Sequence, residues 1–144
     1  MKATLAPGIS YLLQTRVEAR QLVPALFPGS PPIASMPRVL ATAWLVAVME
    51  HACILALQPH LDTGEASVGT GIDLKHLAAT PEAVLITVEA RCMEVHKRRS
   101  LWTITARDEV DEIGRASHER MVIECDRFAA ALTAKEELLA RART

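Results

Sequence analysis

Two periods of apolar spacing divide the chain. Between residues 39 and 57 the apolar positions Leu40, Trp44, Leu45, Val46, Val48, Met49, Ile54, Leu55 and Leu57 fall on every side of a helical wheel and leave no wide polar face. This predicts a buried helix from about Arg38 to His60, with Pro37 near its first turn and Pro59 marking its end. From Val68 the period becomes two: Val68, Thr70, Ile72, Leu74 and His76 share one parity, and Gly69, Gly71, Asp73 and Lys75 the other. That is the mark of a strand.

Residues 9–17, 84–95, 101–110 and 113–125 carry β-branched and alternating positions that predict four more strands, with Gly114 marking a bulge. The tail, 129–142, has the spacing of an amphipathic helix. Strand, loop, long helix and four consecutive strands joined by short turns demand an α+β fold: an antiparallel sheet of about five strands wrapped around a long central helix, with a C-terminal helix. The 144 residues suit one domain, 1–144. Such a sheet leaves an edge strand open, and pairing two copies would cover it, so a homodimer or a higher oligomer is expected.

Between Pro24 and Pro37 lie five prolines, which cannot sustain a helix interior or a central strand. This is a loop, and its apolar Leu26, Phe27, Ile33 and Met36 need a surface to meet. A net charge of −1 lacks the electrostatic pull on which nucleic-acid binding rests. Cys53, Cys92 and Cys125 are odd in number and show no CxxC spacing, which fits reduced thiols filling a core. No apolar segment resembling a signal peptide opens the chain, and a cytoplasmic location is expected. The helical run is nearly long enough for a membrane span, but Glu50 and His51 would lie at its centre, so a buried helix and no membrane partner are expected.

Glu50 is the residue that asks for an explanation. A carboxylate in an apolar helix is retained for an internal hydrogen-bond network or for a reaction. Thr42, eight residues earlier, stands about 80° around the helix axis and about 12 Å along it, so the two flank one groove without touching. A lone helical threonine otherwise bonds its hydroxyl back to the preceding turn. His76 closes the inward parity set of its strand and is a candidate third group. His51, His60, His96 and His118 have no acid or cysteine at a metal-cage spacing, and no metal is assigned.

Three blocks, "LATAWLVAVMEHAC", "VGTGIDLKHLAATP" and "VDEIGRASHERMVI", resemble in order and spacing the thioesterases of the hot dog fold, in the fluoroacetyl-CoA thioesterase branch. The resemblance covers roughly Pro24 to Phe128. It implies hydrolysis of a small acyl-CoA thioester to a free acid and CoA, with CoA entering as part of the substrate and no cofactor. It further implies Thr42, Glu50 and His76 as the catalytic trio, with Gly69 beside the thioester and Arg120 in substrate binding. Lys97, Arg98 and Arg99, at a hairpin tip, are further candidates to face CoA phosphates. Where the fluoroacetate-specific enzyme presents phenylalanines as a lid, this chain has Ile33 and Met36, so the resemblance leaves the acyl group and any fluoroacetyl specificity open. Two rivals stand beside this reading. A hot dog hydratase needs an Asp and His pair that the central helix lacks, and a non-catalytic acyl-CoA or small-ligand binding protein would keep the pocket without turnover.

Overall fold

The β-branched runs pair into one antiparallel sheet in a computed structural model that describes residues 1–143. Its strands are β1 (Ser10–Arg16), β2 (Glu65–His76), β3 (Leu85–His96), β4 (Arg99–Arg107) and β5 (Glu112–Glu124), ordered β1-β3-β4-β5-β2 across the sheet. Short turns join β3, β4 and β5 into a meander, with Lys97 in the left-handed region at φ 53° in the first of them. Both chain-early strands lie at the edges. α1 (Pro31–Ala34) is a single turn in the proline-rich loop, α2 (Thr42–Leu57) packs on the sheet, and α3 (Cys125–Ala142) follows β5 directly. The expected architecture of five strands, central helix and C-terminal helix is therefore the one observed.

The central helix is shorter than its apolar pattern predicts. Residues 38–41 are extended: the Leu40 N–H donates to Thr80 O at 2.8 Å and the Ala41 N–H to Gln21 O at 2.9 Å. Pro37 therefore precedes a bridge between two loops rather than a first helical turn, because these backbone donors are used across the chain instead of along it. At the other end Gln58–His60 tightens into a 3₁₀ turn containing Pro59.

Nor is α2 covered on all sides. Leu45, Met49, Ala52, Cys53, Ala56 and Leu57 are buried against a sheet face that offers Ile86, Val88, Trp102, Ile104 and Ile113. Ala43, Ala47, His51 and Ile54 recur at helical spacing on the opposite side and are exposed, Ile54 by 39%. The segment Thr42–His60 has the length and hydropathy of a membrane span, and 39% of it is buried inside the fold. The proline-rich loop leaves Phe27 and Met36 exposed, so within one chain it does not close over the core. Cys53 and Cys92 fill the interior as expected, whereas Cys125 stands exposed at the start of α3.

Three register shifts shape the sheet. Thr70 on β2, Met93 on β3 and Ile113 on β5 are the residues skipped by the pairing, so each strand carries one extra residue there. The last adjoins Gly114, which was expected to mark a bulge. The Thr70 bulge inverts the simple parity: Leu74 and His76 face α2 as predicted, but before the bulge it is Gly69, not Val68, that looks toward the helix. Gly114 meets the helix closely. A Cβ there would lie 2.9 Å from Leu45 Cδ2, 3.2 Å from Lys75 O and 3.3 Å from Met49 Cε, and the backbone oxygen cannot move aside. Gly114→Val is expected to destabilise the fold by about 1–3 kcal/mol, read as a lower urea midpoint at unchanged slope.

Candidate active site

Among the described residues Arg120 is the most buried charged residue, 1% exposed, and its environment follows from its register. On β5 it stands opposite Gly69 of β2, so both face α2. Its Nε donates to Ser67 Oγ at 3.1 Å, Nη2 to Ser67 O at 2.9 Å, and Nη1 to Glu50 Oε1 at 2.8 Å. The remaining Nη1 contact is His118 Nε2, 3.0 Å away. A guanidinium taken out of water needs such a set of acceptors, and Arg120 has it.

Glu50 is thereby fixed through one oxygen. Oε1 takes the Arg120 bond, and Oε2 has no hydrogen bond among the described residues. Its side chain is 38% exposed in the single chain, because it sits at the margin of the uncovered helix face. The expectation of a helix buried on every side is corrected on that ground. Gly69 is what lets the carboxylate lie there: a Cβ at 69 would be 2.5 Å from Glu50 Oε1 and 3.0 Å from His118 Cε1.

Thr42 and His76 form a second group. Thr42 is the first residue of α2, so it has no preceding turn to bond back to, and its Oγ1 lies 2.9 Å from His76 Nδ1. His76 Nε2 is buried without a hydrogen-bond partner. Val39, Leu77, Ala78 and Ala79 line a shallow depression of about 350 Å³ with this pair. The chain therefore brings Thr42 to His76, and Glu50 to Gly69 and Arg120, but it does not bring the trio together, since the eight-position step from Thr42 to Glu50 separates the groups by about 12 Å along α2.

The remaining candidates are placed differently. Ile33 lies part-buried on α1, and Met36 is 49% exposed beyond it. Arg120 faces the interior rather than a phosphate in solvent. Arg98 donates from Nε to Val122 O and from Nη2 to Glu65 Oε1, both at 2.9 Å, which commits it to tying the β3–β4 turn to β5 and β2. Lys97 and Arg99 remain exposed at that turn.

His118 is the site residue that sequence reading missed. It is 3% exposed, its Nδ1 lies 2.8 Å from Gly71 O, and Nε2 is 3.8 Å from Glu50 Oε1. Burial pushes its pKa down, assisted by the charge of Arg120 and opposed by Gly71 O and Glu50. Its place two residues before Arg120 on one strand face was the available signal. Cys53 lies close enough to feel both charges of the pair, and burial pushes its thiol up to about 12. No group of three or more His, Cys, Asp or Glu side chains able to hold a metal occurs among the described residues.

The fold belongs to a known class. A thioesterase superfamily member from Thermus thermophilus superposes with TM-score 0.87 over 96% of this chain and 98% of that one, at 23% identity. A variant of the fluoroacetyl-CoA-specific thioesterase FlK, in complex with fluoroacetate and CoA, is 41% identical and superposes with TM-score 0.83 over 86% of this chain and 99% of that one. The fluoroacetyl-CoA thioesterase of Streptantibioticus cattleyicolor is 41% identical over 135 residues, 94% of this chain and 97% of that protein. Residues 30–126 match the family described as fluoroacetyl-CoA-specific thioesterase, and the chain belongs to that family.

Proposed function

We propose that this protein is a thioester hydrolase that cleaves a small acyl-CoA to the free acid and CoA, working as a homodimer in the cytoplasm. The observation that carries the reading is Glu50, held through Oε1 by Arg120 beside a glycine, with Oε2 left free. A thioester carbonyl is already electrophilic, so the enzyme has to position it, supply an oxygen and stabilise the charge that develops. Glu50 Oε2 either attacks the carbonyl, expelling the CoA thiolate and leaving a mixed anhydride that water then hydrolyses, or takes a proton from a water whose oxygen attacks and expels the thiolate. His76 handles the proton on water or on the departing sulfur. Its unpartnered Nε2 supports this, because a buried ring nitrogen without a protein partner is most simply explained by a partner that arrives with the substrate. Thr42 orients the imidazole, and the cleared space at Gly69 admits the acyl group.

A two-fold pair completes the trio. In an isologous interface, position 50 of one chain meets position 42 of the other when the axis passes midway between them, at Val46. On β2 the same midpoint rule applied to Gly69 and His76 falls between Ile72 and Asp73, on the open edge strand. Both midpoints lie on surfaces that the single chain leaves open, the Ala43, Ala47 and Ile54 stripe and the exposed stretch of β2. Antiparallel pairing there sets Glu50 and Gly69 of one protomer against Thr42 and His76 of its partner. Ile33 and Met36 form the aliphatic wall of the acyl pocket, which gives no special advantage to a fluoromethyl group and favours a different small acyl chain. Lys97 and Arg99 meet the CoA phosphates.

Glu50→Gln and His76→Ala homodimers are each expected to hydrolyse acetyl-CoA at least a hundredfold more slowly than the wild type. Co-refolded one to one they should recover about a quarter of wild-type activity, since half of the random dimers carry one intact site of two. No recovery, with dimers confirmed by light scattering, would refute the shared site. Gly69→Ala should lower kcat about 10- to 100-fold by displacing the carboxylate, and should lower the melting temperature by several degrees because a buried Arg120 donor loses its acceptor. If neither wild type nor variants release CoA from any of a panel of short, branched and aromatic acyl-CoAs while still binding them, the chain is a binding protein instead.

A further inference from the structure

We infer that His118 is a positioning residue: it accepts a hydrogen bond from Arg120 in its neutral form, and so fixes the guanidinium that fixes Glu50. The inference rests on the catalytic reading of Glu50 given above. The donors and acceptors leave one consistent assignment. Gly71 O can only accept, so His118 Nδ1, 2.8 Å away, carries the proton and donates. Nε2 is then a lone pair, and Arg120 Nη1, which can only donate, supplies its partner at 3.0 Å. The same Nη1 donates to Glu50 Oε1, so imidazole and carboxylate share one nitrogen of the guanidinium and fix its Nη1 end, while Ser67 holds Nε and Nη2. The line runs from a backbone carbonyl in the bulged part of β2, through the ring and the guanidinium, to the oxygen of α2.

Protonation of His118 breaks this line. An imidazolium has a proton on both nitrogens, so Nε2 would face the Arg120 donor with a hydrogen instead of a lone pair, and two cations would lie side by side. The charged or titratable groups facing the ring are Glu50 from α2 and Arg120 from β5, with Cys53 behind them and neutral. β4 presents the non-titrating Trp102 opposite His118, and β2 presents Gly71 and Ile72. Burial and Arg120 lower the pKa of His118, so the neutral ring is the form present at neutral pH, and the pair is disturbed only as pH falls through that lowered value. Catalysis then falls with it on the acid side.

The test uses the full-length homodimer, with acetyl-CoA and other acyl-CoAs the wild type turns over. His118→Leu removes the acceptor and should lower kcat about 10- to 100-fold with KM changed less than about threefold. His118→Gln, whose amide oxygen can reach the Nε2 position and does not titrate, should recover most of that loss at pH 8. Its kcat/KM should decline less steeply than that of the wild type as pH falls below the ordinary histidine range. Ring ¹⁵N spectra of the wild type at pH 7.5 should show His118 as the Nδ1–H tautomer, a readout that stands even if His118→Leu fails to fold. Wild-type kcat in His118→Leu, superimposable acid limbs for wild type and His118→Gln, or an Nε2–H tautomer would each overturn the inference. Glu50→Gln separates the two levels: full activity in that variant removes the role of Glu50 and this inference with it. Lost activity together with an unchanged acid limb in His118→Gln overturns the role of His118 alone.

Discussion

A guanidinium with almost no access to water organises this molecule. Arg120 sits on the inward face of β5, and each hydrogen bond it makes decides something else. The two bonds to Ser67 tie β5 to the edge strand β2. The bond to Glu50 ties the sheet to α2 near the middle of the helix. Leaving any of its donors unmet would cost about 1–3 kcal/mol, so the residues around it are constrained as a set. Gly69 has to lack a side chain, and the strand has to shift register at Thr70, for the carboxylate and the guanidinium to meet.

The distribution of polar groups along α2 then explains why the helix is uneven. Its sheet-facing side is uniformly apolar and conventionally packed. The outer side has small residues, Ala43 and Ala47, between the polar positions Thr42 and Glu50. Small side chains let another backbone or helix approach closely, and they leave the acid and the hydroxyl standing above the surface. The polar groups and the uncovered face thus coincide on α2.

Much of this was legible in the sequence, and the omissions have physical reasons. The switch from a helical period to a period of two at Val68 gave the order of elements, because the two periods answer directly to the two backbone geometries. The ends of α2 were misjudged because Leu40 and Ala41 are as apolar as the helix itself and differ only in where their N–H groups go, to Thr80 and Gln21. The burial of Glu50 was overestimated because periodicity counts apolar neighbours on a wheel and does not know which side another element covers. Resemblance supplied the trio, but the grouping within one chain, Thr42 with His76 and Glu50 with Arg120, depends on a bulge that inverts one half of β2. His118 was passed over because its significance lies in a tautomer, which only its two hydrogen-bond partners define.

The same bulge bears on solubility. A twelve-residue edge strand is an open template for adding further chains, the route by which sheet proteins polymerise. Thr70 and its two flanking glycines interrupt the ladder with a bulge, so a straight incoming strand cannot register along the full length. The irregularity that seats a carboxylate against a guanidinium therefore also blunts the edge against fibre growth.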